Sequence, residues 1–355
     1  MLSAYDNSKI NGGRNQAIDL LKGICILFVI LTHFSWAPQE ELDMGFPFWV
    51  DLAVPVFMVI SGYVNCLSFK RKGIVTVADA YQVKNWLKSF VRYTVPYLII
   101  YFVEAVALLV YSLTDISVGT GYDVTWQEYI FAFFSGGWGP GSYYYPILVQ
   151  LLFFFPFIFV VINRYGGKGL LGCFLFTLVW EIIKLPLGIT ASFYRLNIFR
   201  YTYWIAFGAY LAQYGNSDNG VTKSTLLGAV YSVMCIIVIK YTDYAPHIFT
   251  YWASPPLFAA MLCLPFASIL ILNVQRVSKV CSPLTYIGKA SYHIFFAQMA
   301  LSPVIPYVIT PRYLALIADF AACIAAGIVF YLAETPLNRK ITNALYKRIN
   351  VKSAA

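Results

Sequence analysis

Long apolar runs alternate with short polar stretches and fill nearly all of the 355 residues. Ten runs fit, at residues 17–36, 46–66, 92–113, 142–162, 169–187, 201–214, 222–242, 256–274, 283–306 and 312–333. A hydrocarbon core about 30 Å thick needs roughly 20 residues of helix, each rising about 1.5 Å. Inside such a core only intrasegment hydrogen bonding satisfies a lone helix's backbone. The pattern therefore predicts an all-α, polytopic integral membrane bundle of about ten transmembrane helices. Residues 1–355 read as one membrane domain: no repeat, linker or low-complexity tract divides them, and no stretch is polar enough for a separate soluble domain.

Two regions depart from the pattern. Residues 126–141 are apolar and aromatic, then glycine-rich, ending SGGWGPG. They read as a re-entrant or interfacial segment on the outer side, since non-helical backbone at membrane depth needs protein or water around it. The run at 201–214 is short, and the upstream aromatics Phe193, Tyr194 and Phe199 extend it.

Composition and charge sharpen the picture. The chain is 60% apolar and 12% charged, whereas soluble domains are about 25% charged. Its net charge of +9 reflects the Lys and Arg enrichment of cytoplasmic loops rather than a nucleic-acid partner. With the N-terminus inside, 20 of the 25 basic residues fall on the cytoplasmic side, leaving Lys184, Arg195, Arg200, Lys240 and Arg312 outside. An even number of spans returns the C-terminus to the cytoplasm. Polar residues fill positions 3–16 and no small-residue cleavage site follows the first run, so no cleavable signal peptide is expected. The seven cysteines are scattered without CxxC spacing and read as small apolar fillers, with no disulfide framework or metal site.

The first run, DLLKGICILFVILTHF, keeps Asp19, Lys22 and His33 within an otherwise apolar helix. A charge at bilayer depth costs about 2.5–3.5 kcal/mol on insertion scales, so such groups face a protein interior or a cavity. Lys22 and His33 are eleven residues apart, almost three turns, which puts them on one face about 16 Å apart along the axis. Asp19 lies on nearly the same stripe. In the second run Asp51 sits just over one turn from the outer end, at the depth of His33, where a carboxylate would orient the imidazole and raise its basicity.

A basic residue, ten residues and a histidine, as in RNQAIDLLKGICILFVILTH (residues 14–33), resembles the opening segment of the membrane acyltransferase-3 family. VPVFMVISGY (54–63) is similar to its second helix and VRYTVPYL (91–98) to its third-helix start. YYYPILVQLLFFFP (143–156) resembles its aromatic fourth helix, IGKASYHIFFAQ (287–298) its ninth, and ETP (334–336) its closing Glu-x-Pro. The matches run in order over nearly the whole chain. The chain departs from the family pattern at Ser89, with Lys88 beside it, where many members have the first Arg of Arg-x-x-Arg. Pro55 stands where some have Asp, Gln298 where a histidine often ends the ninth motif, and His293 where a small residue is usual.

The resemblance implies about ten spans in the bacterial inner (plasma) membrane and transfer of acyl groups, commonly acetyl from acetyl-CoA. The acceptors it implies are hydroxyls of extracytoplasmic sugars, such as surface polysaccharides and other envelope glycans. It places the catalytic histidine on His33 and its basic partner on Lys22. Acyl transfer from a thioester to a hydroxyl needs a base, oxyanion stabilisation and a grip on both substrates. His33, partnered by Asp51, is the expected catalytic base. Lys22, Lys88, Arg92 and Arg14, at or near the inner face, are the expected contacts for the phosphates of acetyl-CoA. The expected partners are acetyl-CoA, a glycan acceptor and membrane lipid, with no metal and no nucleic acid. A transporter or flippase for an envelope glycan or lipid precursor is the alternative that ten spans with buried charges also allow; inverted repeats would favour it, and none is visible.

Overall fold

The computed structural model describes residues 16–113, 125–184, 186–214, 230, 233–234, 236–242 and 281–354. Among these there are helices and no strand. Five helices are long and apolar enough to cross a membrane: Gln16–His33, Phe46–Arg71, Val83–Val110, Tyr144–Tyr165 and Arg312–Arg348.

In chain order the helices are α1 (Gln16–His33), α2 (Pro38–Asp43), α3 (Phe46–Trp49), α4 (Ala53–Arg71), α5 (Val77–Ala80), α6 (Val83–Leu113), α7 (Trp126–Ser135) and α8 (Tyr144–Tyr165). There follow α9 (Gly167–Ile183), α10 (Ala191–Leu196), a 3-10 turn (Ile198–Tyr201) and α11 (Thr202–Tyr214). After the undescribed stretch come α12 (Ser282–Leu301), α13 (Ile305–Val308) and α14 (Arg312–Ala354). Eight of the ten apolar runs thus coincide with helices. The run at 256–274 and most of that at 222–242 lie outside the described residues, as does Arg14.

Two helices outrun their apolar patterns. α6 begins at Val83 and α14 continues past Pro336 to Ala354. Hydropathy marks only the part of a helix that meets lipid; hydrogen bonding carries the helix on wherever packing supports it. Here the polar half of α14 supports the start of α6. Asn338 Nδ2 donates to the Val91 carbonyl at 3.3 Å, and the Tyr346 hydroxyl to the Lys84 carbonyl at 2.7 Å.

Glycines set the closest crossings. A Cβ on Gly23 would stand 2.2 Å from the Leu284 carbonyl oxygen, and one on Gly288 would stand 1.7 Å from that of Asp19. α1 and α12 therefore touch backbone to backbone, the small-residue packing typical of membrane helices. Gly62 and Gly208 play the same part between α4 and α11, against the carbonyls of Ile205 and Val59. His33 and Phe295 both lie against the Cβ position of Gly141, so α1 and α12 run in the same direction from their glycine crossing. The faces turned away from neighbours are apolar, with Phe102, Val106, Leu175, Val179, Ile317 and Val329 all exposed. An apolar surface that extensive suits lipid rather than water.

At the His33 end Arg312, the first residue of α14, grips the α1–α2 connection. Its guanidinium donates to both Glu40 oxygens at 2.6 Å and to the Ser35 carbonyl at 2.8 Å, and lies 4.9 Å from the Trp36 ring centroid. The Arg312 hydrogen bonds, and then the Ala37 N–H, hold the Glu40 carboxyl down at about 2.

Candidate active site

Two cavities meet at His33. The first, about 720 Å³, is lined by Lys22 and His33 of α1 and by four further basic side chains, Lys88, Arg92, Lys289 and Arg339. The second, about 800 Å³, is lined by His33, Asp51 and the loop after α7. Val29, His33, Val54, Gly141 and Tyr143 border both.

The basic cavity follows from helix spacing. Lys22 and His33 share a face of α1 as their separation requires, and both line this cavity. Asp19 does not: it is buried at the α12 crossing, 2% exposed. Three helices bring their N-terminal portions to the Lys22 end, α1 with Lys22, α6 with Lys88 and Arg92, and α12 with Lys289. Arg92 donates to the Tyr93 hydroxyl at 3.0 Å and lies 5.0 Å from that ring's centroid. The Tyr292 hydroxyl donates to the Tyr93 carbonyl at 3.0 Å, tying α6 to α12. Just past α4, burial and then the charges of Lys88 and Arg92 push the Lys72 ammonium below its usual value. Lys72, Lys88 and Arg92 therefore share one field. Five cations with one carboxylate, Glu334, line this cavity, and such an end attracts a polyanion.

Sequence reasoning overlooked Lys289 and Arg339 as cavity residues, and also a buried network midway along the wall. His293 Nε2 lies 2.9 Å from Glu334 Oε2, and Asn338 Nδ2 donates to Glu334 Oε1 at 2.7 Å. The two residues of this pair stand in separately recognised motifs, 41 positions apart, so no local spacing signals the contact.

The second cavity depends on a folded-back loop. Residues 126–141 form helix α7 and then a loop whose Gly136, Gly137 and Gly141 have φ of 101°, 111° and 84°. α6 holds the segment in place. The Tyr97 hydroxyl donates to the Phe133 carbonyl at 2.5 Å and the Tyr101 hydroxyl to that of Tyr129 at 2.9 Å. Tyr101 stacks on Trp138, and Glu104 Oε2 accepts from the Trp138 N–H at 3.1 Å. The loop comes down on the histidine: a Cβ on Gly141 would stand 3.1 Å from His33 Nε2. Only a residue without Cβ takes this left-handed conformation at that distance without strain.

Asp51 and His33 share this cavity as their depths suggested, but no hydrogen bond joins them among the described residues. The charges that bear on Asp51 are those of Lys240 and Glu41. Glu128, Arg195 and Arg200 also line this cavity. Arg200 is 1% exposed and lies over the rings of Tyr143, Tyr194 and Tyr201 at 5.2, 5.1 and 4.3 Å. Nearby, Glu181 pairs with Lys184 at 2.5 Å and accepts from the Tyr194 hydroxyl at 2.5 Å.

The motif residues Lys22 and His33 of α1 and His293 of α12 all line the basic trough, and His33 borders the second chamber as well. The acyltransferase-3 family model, described as an acyltransferase domain, matches residues 15–334. The chain belongs to this family. It is a membrane acyltransferase, with both cavities built from residues of the matched region apart from the part of α14 between Thr335 and Tyr346. No curated protein and no solved structure matched the chain.

Proposed function

We propose that this acyltransferase moves an acetyl group from acetyl-CoA, entering from the cytoplasm, to a hydroxyl of an envelope sugar at the opposite face of a bacterial plasma membrane. The observation that carries this reading is that His33 borders two cavities of different chemistry. The basic one suits the phosphates of CoA, with the pantetheine arm running along α1. The span of about 16 Å from Lys22 to His33 is of the order of that arm's length. The other, with Asp51, Glu128, Arg195 and aromatic rings, suits a polyhydroxyl acceptor.

In this mechanism Lys22, Lys88 and Arg92 hold the donor's anionic end; the guanidinium makes paired hydrogen bonds to phosphate that an ammonium cannot. Arg14, just ahead of α1, joins them. His33 takes the proton of the acceptor hydroxyl as its oxygen attacks the thioester carbonyl. The tetrahedral intermediate collapses, the C–S bond breaks, and the imidazolium returns the proton to the departing thiolate. The products are the O-acetyl sugar and CoA. Asp51 faces the acceptor side and acts on the sugar or on the local field.

Sealed vesicles of known orientation test the reading. Acetyl-CoA is expected to be consumed only from the cytoplasmic face, with acetyl appearing on acceptor at the other face and CoA remaining on the donor side. Glycan translocation without thioester cleavage would refute it in favour of a flippase. Acetylation confined to cytoplasmic acceptor would keep the enzyme and overturn the across-membrane geometry.

A further inference from the structure

We propose that His293 is a donor-positioning residue, whose Nδ1 accepts a hydrogen bond from the amide N–H nearest the sulfur in the arm of the acyl-thioester donor. The proposal rests on the acetyl-CoA reading above and extends it to a residue outside the expected donor contacts.

Three observations carry it. His293 lines the basic cavity yet is only 8% exposed. Its Nε2 is committed to Glu334 at 2.9 Å, while its Nδ1 is buried with no hydrogen-bond partner. A buried polar atom left unpaired costs about 1–3 kcal/mol, so such an atom in a cavity wall calls for a ligand or water. The ring itself is fixed. Phe330 and Tyr331 meet it edge-on at 5.0 and 5.3 Å, and Glu334 is held in turn by Asn338.

Chemistry and depth select the ligand group. With Nε2–H donating to Glu334, Nδ1 keeps a lone pair that needs an N–H or O–H donor. Gly288 crosses α1 at Gly23. His293 lies five residues beyond that crossing, about 7.5 Å along the axis, and His33 ten residues beyond it, about 15 Å. A thioester carbonyl at His33 would place the adjoining arm, with its secondary amide a few bonds from sulfur, beside His293.

The test compares two donors, acetyl-CoA and the analogue with a methylene in place of the amide nitrogen nearest sulfur, on wild type, His293→Asn and His293→Gln. Asn sets a polar atom where Nδ1 stands; Gln sets one where Nε2 meets Glu334. Wild type is expected to lose roughly three- to tenfold in kcat/KM on the analogue, chiefly through KM. His293→Asn is expected to keep most of that discrimination and His293→Gln to lose it, the non-additivity of two changes at one contact. If the histidine only pairs with Glu334, Gln keeps the discrimination as well as wild type does, and the proposal falls. Equal kcat/KM for the two donors in wild type overturns it even where a variant fails to fold. A wild-type protein that does not use acetyl-CoA at all overturns the functional reading and this assignment together; an active one with the wrong donor pattern overturns the assignment alone.

Discussion

The two cavities at His33 are built in opposite ways. The basic one is walled mostly by helix side chains, and its chemistry is one-sided, with five cations to one carboxylate. The other is closed by loop backbone with left-handed glycines, and it mixes Asp51 and Glu128 with Arg195 and Arg200. A wall of helices suits a long ligand of fixed length and charge, because reach is set by rise per residue. A loop wall suits an acceptor whose shape varies, because loops change without disturbing the bundle. One histidine borders both, so perturbations should divide according to the wall they touch.

The largest effect is expected where the walls meet. His33→Ala should lower turnover by about 10²–10⁴-fold while acetyl-CoA still binds, measured by single-turnover transfer and equilibrium binding on the same preparation. Near-normal turnover would move the base to His293 or a carboxylate. Gly141→Ala should come next. Its Cβ would press on His33 Nε2 and on Phe295 at 3.1 and 3.0 Å in a left-handed conformation, which costs about 1–2 kcal/mol in itself. Turnover should drop by roughly 10–100-fold, the scale of a displaced catalytic group, with donor KM little changed. Unaltered kinetics would show that the loop does not set the histidine.

Arg92→Ala should raise the acetyl-CoA KM by roughly tenfold, the loss of one charge-assisted hydrogen bond, and leave acceptor KM alone. Arg92→Lys should recover part of the loss. Unchanged donor affinity would reduce Arg92 to a marker of membrane topology. Asp51→Asn should have the smallest effect, a few-fold shift in acceptor KM with kcat nearly preserved. A drop in kcat of the size expected for His33→Ala would instead restore the orienting role that the depth of Asp51 first suggested.

Much of the basic wall was legible beforehand, because Lys22, Lys88 and Arg92 obey periodicity and charge sidedness, both local properties. The loop cavity was less so. The glycines of residues 136–141 announced irregular backbone, but not that it would seat against His33. Asp51 and His33 do line one cavity, yet depth alone cannot aim a side chain, and no hydrogen bond to His33 results.

By itself the sequence determined that this chain is a helical membrane protein and that Lys22 and His33 share one face of its first helix. Those outcomes follow from the length and period of apolar runs and from the cost of exposing charge to lipid. Only the tertiary structure decided that Gly141 closes on His33, that Asp19 is buried at a crossing, and that His293 finds Glu334 across 41 residues. Such contacts depend on where helices cross and how closely they approach. Gly23 with Gly288, and Gly62 with Gly208, fix those points, and no period within a single helix encodes its partner.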